Sequence, residues 1–351
     1  MANTSAALRV GLIGFGTAGR FFHAPLLATT PGVELTAVVT SNPERAGQAV
    51  SAYPGVTVVG APEQLWPLGL DLIVVASPNK SHVSLAEAAL EAGSAVVVDK
   101  PLAVSSAEGR GLVETAERLG LPLSVFQNRR WDGDFRTIAH VMRAGRLGEV
   151  RRFESRFERW RPQLKGGWRE QGDRAEAGGL LYDLGSHLVD QALTLFGPAV
   201  HVYAEADVRR ENAQADDDTF VALTHANGVR SHLWASATAG LLGPRFRVLG
   251  SKAAYVSYGL DGQEDELRAG RTPADTGFGE TAPDGYGTLG AVGEESPYPT
   301  LPGRYTDYYA QMAEAVRGQG PVPVDPADAV RTLEVIEAAR RSADEGRVIE
   351  L

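Results

Sequence analysis

Between Gly178 and Gly197 the sequence GGLLYDLGSHLVDQALTLFG sets a carboxylate and an imidazole four residues apart, Asp183 and His187, inside an otherwise largely apolar run. At about 100° per residue this run predicts one helix. Its leucines, Val189, Ala192 and Phe196 cover more than half the circumference, and Asp183, His187, Asp190 and Thr194 fall on one narrow polar stripe. Such a stripe is either the wet face of a surface helix or the wall of a cleft. In a cleft, residues at i and i+4 are neighbours. The carboxylate can orient the imidazole and raise its basicity, and the imidazole can accept a proton near neutral pH. Asp190 and Thr194, further along, are expected to reach solvent. Gly178, Gly179 and Gly185 are expected to let a cofactor or substrate approach the backbone. A third reactive group, Lys100, stands just past the apolar run Ala95–Val98 and just before Pro101. An ammonium at the C-terminal tip of a buried parallel strand can hydrogen-bond a substrate oxygen and stabilise charge developing there. Together these groups suit oxidation of a secondary alcohol, which needs a proton acceptor, a cation near the alkoxide and a hydride acceptor. No grouping of residues suggests a metal site.

The hydride acceptor has a candidate seat. Gly14, Phe15, Gly16, Thr17, Ala18 and Gly19 form G-x-G-x-x-G directly after the apolar run Leu8–Ile13 and open a helix. Alone the pattern marks turn glycines. Between a first strand and a helix it predicts backbone N–H groups cradling a dinucleotide pyrophosphate. An NAD-binding chain usually carries an acid at the tip of the second strand, on the ribose hydroxyls. Here the tip reads Val39, Thr40, Ser41, Asn42, Pro43, Glu44, Arg45. Small hydroxyl residues followed by an arginine suit a 2′-phosphate, so NADP is expected. NAD remains the alternative, with Glu44 serving a ribose.

The elements that must hold these groups fall into two textures. Up to Phe126, compact β-branched runs (Leu8–Ile13, Glu34–Val39, Leu72–Ala76, Ala95–Val98, Leu123–Phe126) alternate with helical stretches Pro43–Tyr53, Ser81–Ala92 and Ser106–Leu119. Runs without polar alternation are strands buried on both faces, and the βαβα order predicts a doubly wound parallel sheet. After Asn128 a helix, Phe135–Ala144, precedes strands with visible alternation: Val150–Trp160, Val200–Val208, Thr219–His225, Arg230–Ala237, Arg245–Leu249 and Ala253–Ser257. These predict a half-exposed antiparallel sheet. Asp261–Gly303, rich in Gly, Pro and acids, is expected to be a long surface loop. Helices Asp307–Arg317 and Ala327–Glu345 and a short strand, Val348–Leu351, close the chain. Domains are expected at residues 1–127 and 128–351. Arg129, Arg130 and Trp131, and Tyr305, Tyr308 and Tyr309, either line a substrate pocket or pack.

Composition sets the class. A chain of 351 residues with 43% hydrophobic and 22% charged content is an ordinary globular protein, long enough for two domains. A net charge of −10 argues against nucleic acid or an anionic membrane as partner. With no cysteine, disulfides, thiolate metal sites and cysteine nucleophiles are excluded. No signal peptide or membrane-spanning run is evident, and a cytoplasmic location is expected.

With the glycine loop, Ser77-Pro78-Asn79, Asp99-Lys100-Pro101 and the Gly178 segment all in view, the chain resembles the Gfo/Idh/MocA oxidoreductase family over nearly its whole length. GFGTAGRFFHAPLL (Gly14–Leu27), FQNRRWDGDF (Phe126–Phe135) and YDLGSHLVDQALTLFG (Tyr182–Gly197) make it similar to the NADP-dependent scyllo-inositol dehydrogenase branch. The resemblance implies an N-terminal Rossmann domain followed by an α/β domain with an open, largely antiparallel sheet that often forms a dimer interface. It implies a catalytic Lys100 from the family's Glu-Lys-Pro motif, with Asp99 as a shorter carboxylate in first place. It implies that Asp183 and His187 are the family's D-x-x-x-H pair. Ser77, Pro78, Asn79, His82, Asp99 and Lys100 are expected to pass the cofactor, and Trp168 and Arg169 to reach over it. The implied activity is hydride transfer between NADP and a secondary alcohol or ketone of a cyclitol or sugar, by a homo-oligomer. The alternatives are an NAD-dependent sugar or diol dehydrogenase, or a cofactor-binding regulatory protein of the same fold without turnover.

Overall fold

In the structure, a computed structural model, residues 6–164, 166, 170 and 177–351 are described. The first half builds a six-stranded parallel sheet from β1 (Leu8–Ile13), β2 (Val33–Val39), β3 (Thr57–Val59), β4 (Leu72–Val75), β5 (Ala95–Asp99) and β6 (Leu123–Phe126), in the order β3-β2-β1-β4-β5-β6. Helices α1 (Ala24–Thr29), α2 (Pro43–Ala52), α3 (His82–Glu91) and α4 (Ser106–Leu119) connect the strands. The chain is thus α/β with a doubly wound first sheet. The order of strands reverses between β1 and β4. Crossovers diverge there and leave a crevice at the strands' C-terminal ends, the place where open α/β sheets hold ligands. The Gly14 loop, Ser77 and Asp99-Lys100 follow β1, β4 and β5 directly, so topology alone gathers them at this crevice.

The second half builds a nine-stranded sheet: β7 (Val150–Glu158), β8 (Ala199–Asp207), β9 (Asp218–His225), β10 (Arg230–Ser236), β11 (Phe246–Gly250), β12 (Ala254–Ser257), β13 (Gly287–Gly290), β14 (Ser296–Tyr298) and β15 (Ile349–Glu350). Its order is β14-β13-β12-β11-β7-β10-β9-β8-β15. Only β7 and β10 pair in parallel; every other neighbour is antiparallel. One face carries the core side chains Phe153, Phe157, Val221, Leu223, Leu233 and Val248, which pack with residues of α5 (Gly133–Arg143), α7 (Gly185–Phe196) and α10 (Pro326–Glu345). Helix α9 (Thr306–Val316) and the start of α10 return to the parallel sheet, where Tyr308, Met312, Val330 and Leu333 join its core.

Two expectations change. The stretch Asp261–Gly303 is not one long loop: it holds α8 (Gln263–Arg268) and two edge strands, β13 and β14, that extend the sheet. Nor is Gly178–Gly197 one helix. A single turn, α6 (Leu180–Asp183), precedes α7 with a break at Leu184. The start of α6 is set by a contact the local sequence does not contain. Asp216 accepts the Leu181 N–H at 2.7 Å, in the manner of a helix cap, and pairs with Arg340 at 3.1 Å. Its carboxylate presses so closely on Gly179, at φ +92°, that a Cβ there would stand 2.1 Å from it. Gly185 makes room for its own neighbour: a Cβ would meet the Leu181 side chain at 3.3 Å, so that glycine serves packing, not ligand approach. No helix among the described residues is long and apolar enough to cross a membrane.

Candidate active site

The three glycines of the first loop have three different jobs. Gly14, at φ +99°, has no room for a Cβ, which would stand 2.5 Å from the Ala76 carbonyl oxygen. Gly19 packs the first turn of the following helix against the loop, with the Gly14 carbonyl oxygen 2.0 Å from its Cβ position. Gly16 is different. The nearest atom to its Cβ position, at 3.8 Å, is the Arg45 guanidinium, so the space over its backbone is open and bounded by a cation. This is the cradle a pyrophosphate requires, which a larger residue at position 16 would fill. The residues present therefore fit a dinucleotide, with Gly14 to Gly19 to hold the phosphates. Arg45 is exposed and has no hydrogen-bond or ion-pair partner through its side chain among the described residues. Glu44 is turned to Gln48, at 3.1 Å. Asn42 caps α2 by accepting the Arg45 N–H at 3.0 Å, and Thr40 accepts the Asn42 N–H at 3.3 Å. The tip thus presents a helix N-terminus, the exposed Ser41 and an arginine.

The loops after β4 and β5 are tied together from below. His82 is buried, with Nδ1 2.8 Å from the Pro101 carbonyl and Nε2 2.9 Å from the Ser77 carbonyl. It ties the two loops together. Ser77 and Ser81 hydroxyls meet at 2.8 Å across the turn that holds Pro78 and the buried Asn79. Asp99 accepts the Lys100 N–H at 3.0 Å, and His23 Nε2 lies 3.8 Å away. Burial pushes the Asp99 carboxyl up, but His23, His82 and Lys100 outweigh burial and hold it below its ordinary range.

Lys100 bridges the two halves of the chain. Its ammonium donates to the Asp183 carbonyl at 2.6 Å and to Asp183 Oδ1 at 2.8 Å. An ammonium has three N–H donors, so one is left for a substrate oxygen. His187 stands one turn further on, buried, with its ring 6.2 Å from that of Phe157 and Nδ1 without a hydrogen-bond partner among the described residues. The Asp183 carboxylate meets the lysine, and it also raises the basicity of His187 against the other groups around it. Burial first, then Lys100 and Arg129, hold His187 well below the usual histidine range, with Asp183 opposing them. At neutral pH the ring is uncharged and able to take a proton.

A pH profile follows from that shift. A proton acceptor works only when deprotonated, and His187 loses its proton at a pH below the ordinary histidine value of about 6.5. If His187 is the proton acceptor of an alcohol oxidation, kcat/KM is expected to be flat above about pH 6.5 and to fall on the acid side below it. A break above pH 7 that persists at saturating cofactor would assign the step to another group.

Other expectations also move. Asp190 does not reach solvent. It is buried and holds Arg130 by two bonds, 2.9 Å and 2.7 Å, and Asp328 adds a third at 3.1 Å. Leaving either member of such a buried pair alone costs about 3–5 kcal/mol, so the pair is structural. Thr194 is exposed. Tyr305, Tyr308 and Tyr309 are buried, their hydroxyls bonded to Asp132, Ser124 and His23 at 2.7, 3.0 and 2.5 Å. They pack and offer nothing to a polyol. Trp131 is buried against Tyr308. Trp168 and Arg169 lie outside the described residues. Residue-by-residue reading missed Phe157 and Arg245. The Arg245 guanidinium stacks 3.9 Å over Phe157, and Arg129 lies 5.1 Å over the same ring, so these buried residues pack around the ring that neighbours His187. The period of two along β7 carried the signal for Phe157.

Residues 8–127 match the family model described as "Oxidoreductase family, NAD-binding Rossmann fold", and residues 141–351 match its companion, "Oxidoreductase family, C-terminal alpha/beta domain". The chain belongs to the Gfo/Idh/MocA oxidoreductase family. Among its relatives, the uncharacterized oxidoreductase YdgJ of Escherichia coli is 44% identical over 340 residues, 96% of each chain. The Bacillus subtilis protein named scyllo-inositol 2-dehydrogenase (NADP(+)) IolW is 35% identical over 349 residues, covering 98% of this chain and 96% of its own. A solved structure from Yersinia pestis, of a protein assigned as an oxidoreductase, superposes with a TM-score of 0.93 at 38% identity, covering 100% of this chain and 99% of that one.

Proposed function

We propose that this oxidoreductase transfers hydride between NADP and a secondary alcohol or ketone of a cyclitol or sugar. The observation that carries the reading is Lys100, held by Asp183 across the crevice at 2.8 Å with one N–H to spare, beside a buried neutral His187. A bound nicotinamide supplies the acceptor or donor of hydride. Lys100 holds the substrate oxygen and offsets the charge that grows on it as the C–H bond breaks. His187 takes the hydroxyl proton, and Asp183 keeps the ammonium from swinging away. The similarity to a relative named as an NADP-dependent scyllo-inositol dehydrogenase supports the substrate class. Steady-state assays of inositol isomers and aldoses with NADP and NAD test it. Turnover of cyclitols or sugars is expected; an enzyme inert on both classes with either cofactor sinks the reading.

We also expect assembly through the outer face of the nine-stranded sheet. That face carries Tyr203, Phe220, His232 and Trp234 half-exposed, with Phe220 and Trp234 rings 5.2 Å apart and the Arg156 guanidinium 3.9 Å over Trp234. An apolar, aromatic sheet face is a self-complementary surface for a two-fold dimer. Light scattering should give a dimer or a tetramer of dimers at micromolar concentration, and Trp234→Glu should shift it toward monomer. A wild-type monomer would contradict this.

A further inference from the structure

One cation near the candidate catalytic residues has no hydrogen-bond or ion-pair partner among the described residues. Strand β7 sends Phe153, Ser155 and Phe157 to the buried face of its sheet. Alternation carries Arg159, two residues past Phe157, onto the same side just beyond the strand's end. Its backbone is fixed there, donating to the Ser236 carbonyl at 2.8 Å and accepting from the Ala239 N–H at 3.2 Å. Phe157 is the ring beside His187, so the wall that Arg159 extends is the wall of the catalytic cleft. Asp183, Glu264, Arg129 and Arg161 are all close enough to act on its charge. The two acids are engaged elsewhere: Asp183 with Lys100 at 2.8 Å, Glu264 with Arg129 at 2.8 Å and Arg268 at 2.9 Å. The half-buried Arg159 guanidinium has no hydrogen-bond or ion-pair partner among the described residues. Burial, with Arg161 and Arg129, disfavours its charge more than Asp183 and Glu264 support it.

A partly buried charge is costly until something pairs with it, and among the described residues nothing does. We propose that Arg159 is a specificity-determining residue that binds an anionic substituent, a carboxylate or a phosphate, on the polyol whose hydroxyl meets Lys100 and His187. The planar guanidinium matches either group through two parallel N–H donors. A neutral hydroxyl would satisfy one donor and leave the charge uncompensated. The inference rests on the cleft being the substrate site of a dehydrogenase and narrows the substrate to a charged member of the class.

The test uses the full chain, loaded with NADPH for binding and supplied with NADP as the hydride acceptor for turnover, and paired probes: D-gluconate, D-glucuronate and glucose 6-phosphate against D-glucose and scyllo-inositol. Binding is measured by calorimetry and, where turnover occurs, kcat/KM is measured for the same pairs. In the wild type a charged probe should bind about tenfold or more tightly than its neutral counterpart, and the advantage should shrink as salt is raised. Arg159→Gln should cut the charged-to-neutral ratio by about 10- to 100-fold, and Arg159→Lys by less. The carboxylate and phosphate probes show which anion is preferred. Equal binding of charged and neutral probes in the wild type overturns the proposal without needing a variant. So does an equal loss on both classes in Arg159→Gln. Turnover of neutral polyols with no preference for acids removes this inference and leaves the dehydrogenase reading. Arg159-dependent acid binding without turnover of any polyol keeps the inference and removes that reading.

Discussion

Replacing His187 or Lys100 with alanine is expected to abolish most turnover while NADPH still binds. His187→Ala removes the proton acceptor, a change worth about 10²–10⁴ in rate for general bases. Lys100→Ala removes the charged donor to the reacting oxygen, worth roughly 10²–10³ by the measure of a lost oxyanion-hole donor. The two effects should not multiply in the double variant, because both residues act on one proton and one oxygen in a single step. Cofactor affinity should survive, since the pyrophosphate cradle is built from Gly14 to Gly19 and neither side chain contributes to it. Asp183→Asn is the informative intermediate. It keeps an oxygen near the ammonium but removes the charge that holds it at 2.8 Å. Its kcat/KM should fall less than that of Lys100→Ala, with NADPH binding again nearly untouched. The measurement is kcat on the best substrate together with a fluorescence titration of NADPH for each variant. Near-full turnover in both alanine variants would make the polar stripe on α7 an incidental feature of a packed helix.

The parallel sheet was readable because its strands are buried on both faces, and five β-branched runs without polar alternation stood out from the helices between them. The strand that escaped, β3, has three residues, sits at the sheet edge and is partly exposed, so neither length nor burial marked it. In the second half, period-two alternation identified β7 to β12. It could not identify β13 and β14, which run four and three residues and include glycines and a proline. The site divides in the same way. Residue types were visible in the sequence: a lysine at a strand tip, an aspartate and a histidine in an apolar helix, glycines at a strand-to-helix turn. Their partners were not. Lys100 and Asp183 are separated by 83 positions and meet only where the two halves pack; Arg130 and Asp190, 60 positions apart, meet only through the folding of the second half. Hence Asp190, polar and on the same stripe as His187, read as solvent-facing when it is a buried counter-ion. The start of α6 has the same origin: Asp216, 35 positions beyond Leu181, takes the Leu181 N–H, and at the break itself Lys100 takes the Asp183 carbonyl.

Cofactor preference is the second large effect expected, and it rests on Arg45. The tip of β2 presents no acid to the crevice, Glu44 being turned to Gln48, and the Arg45 guanidinium stands 3.8 Å from the Cβ position of Gly16 without a side-chain partner among the described residues. The N-terminus of α2, capped by Asn42, adds the partial positive charge of a helix end, which favours an anion nearby. A 2′-phosphate placed between them would gain charge-assisted bonds of about 1.5–3 kcal/mol in a shielded site. Arg45 is exposed, so water and salt reduce that gain, and the lower half of the range applies. Wild type should therefore favour NADP over NAD in kcat/KM. Arg45→Ala should lower kcat/KM for NADP by about 10- to 30-fold and for NAD much less, since NAD has nothing for the guanidinium to hold. The NADP advantage should also shrink as ionic strength rises, and Arg45→Ala should flatten that salt dependence because the charge responsible is gone. Steady-state kinetics with both cofactors at two salt concentrations decide the matter. A tenfold preference of the wild type for NAD, or an equal loss on both cofactors in Arg45→Ala, would return Arg45 to the solvated first turn of α2.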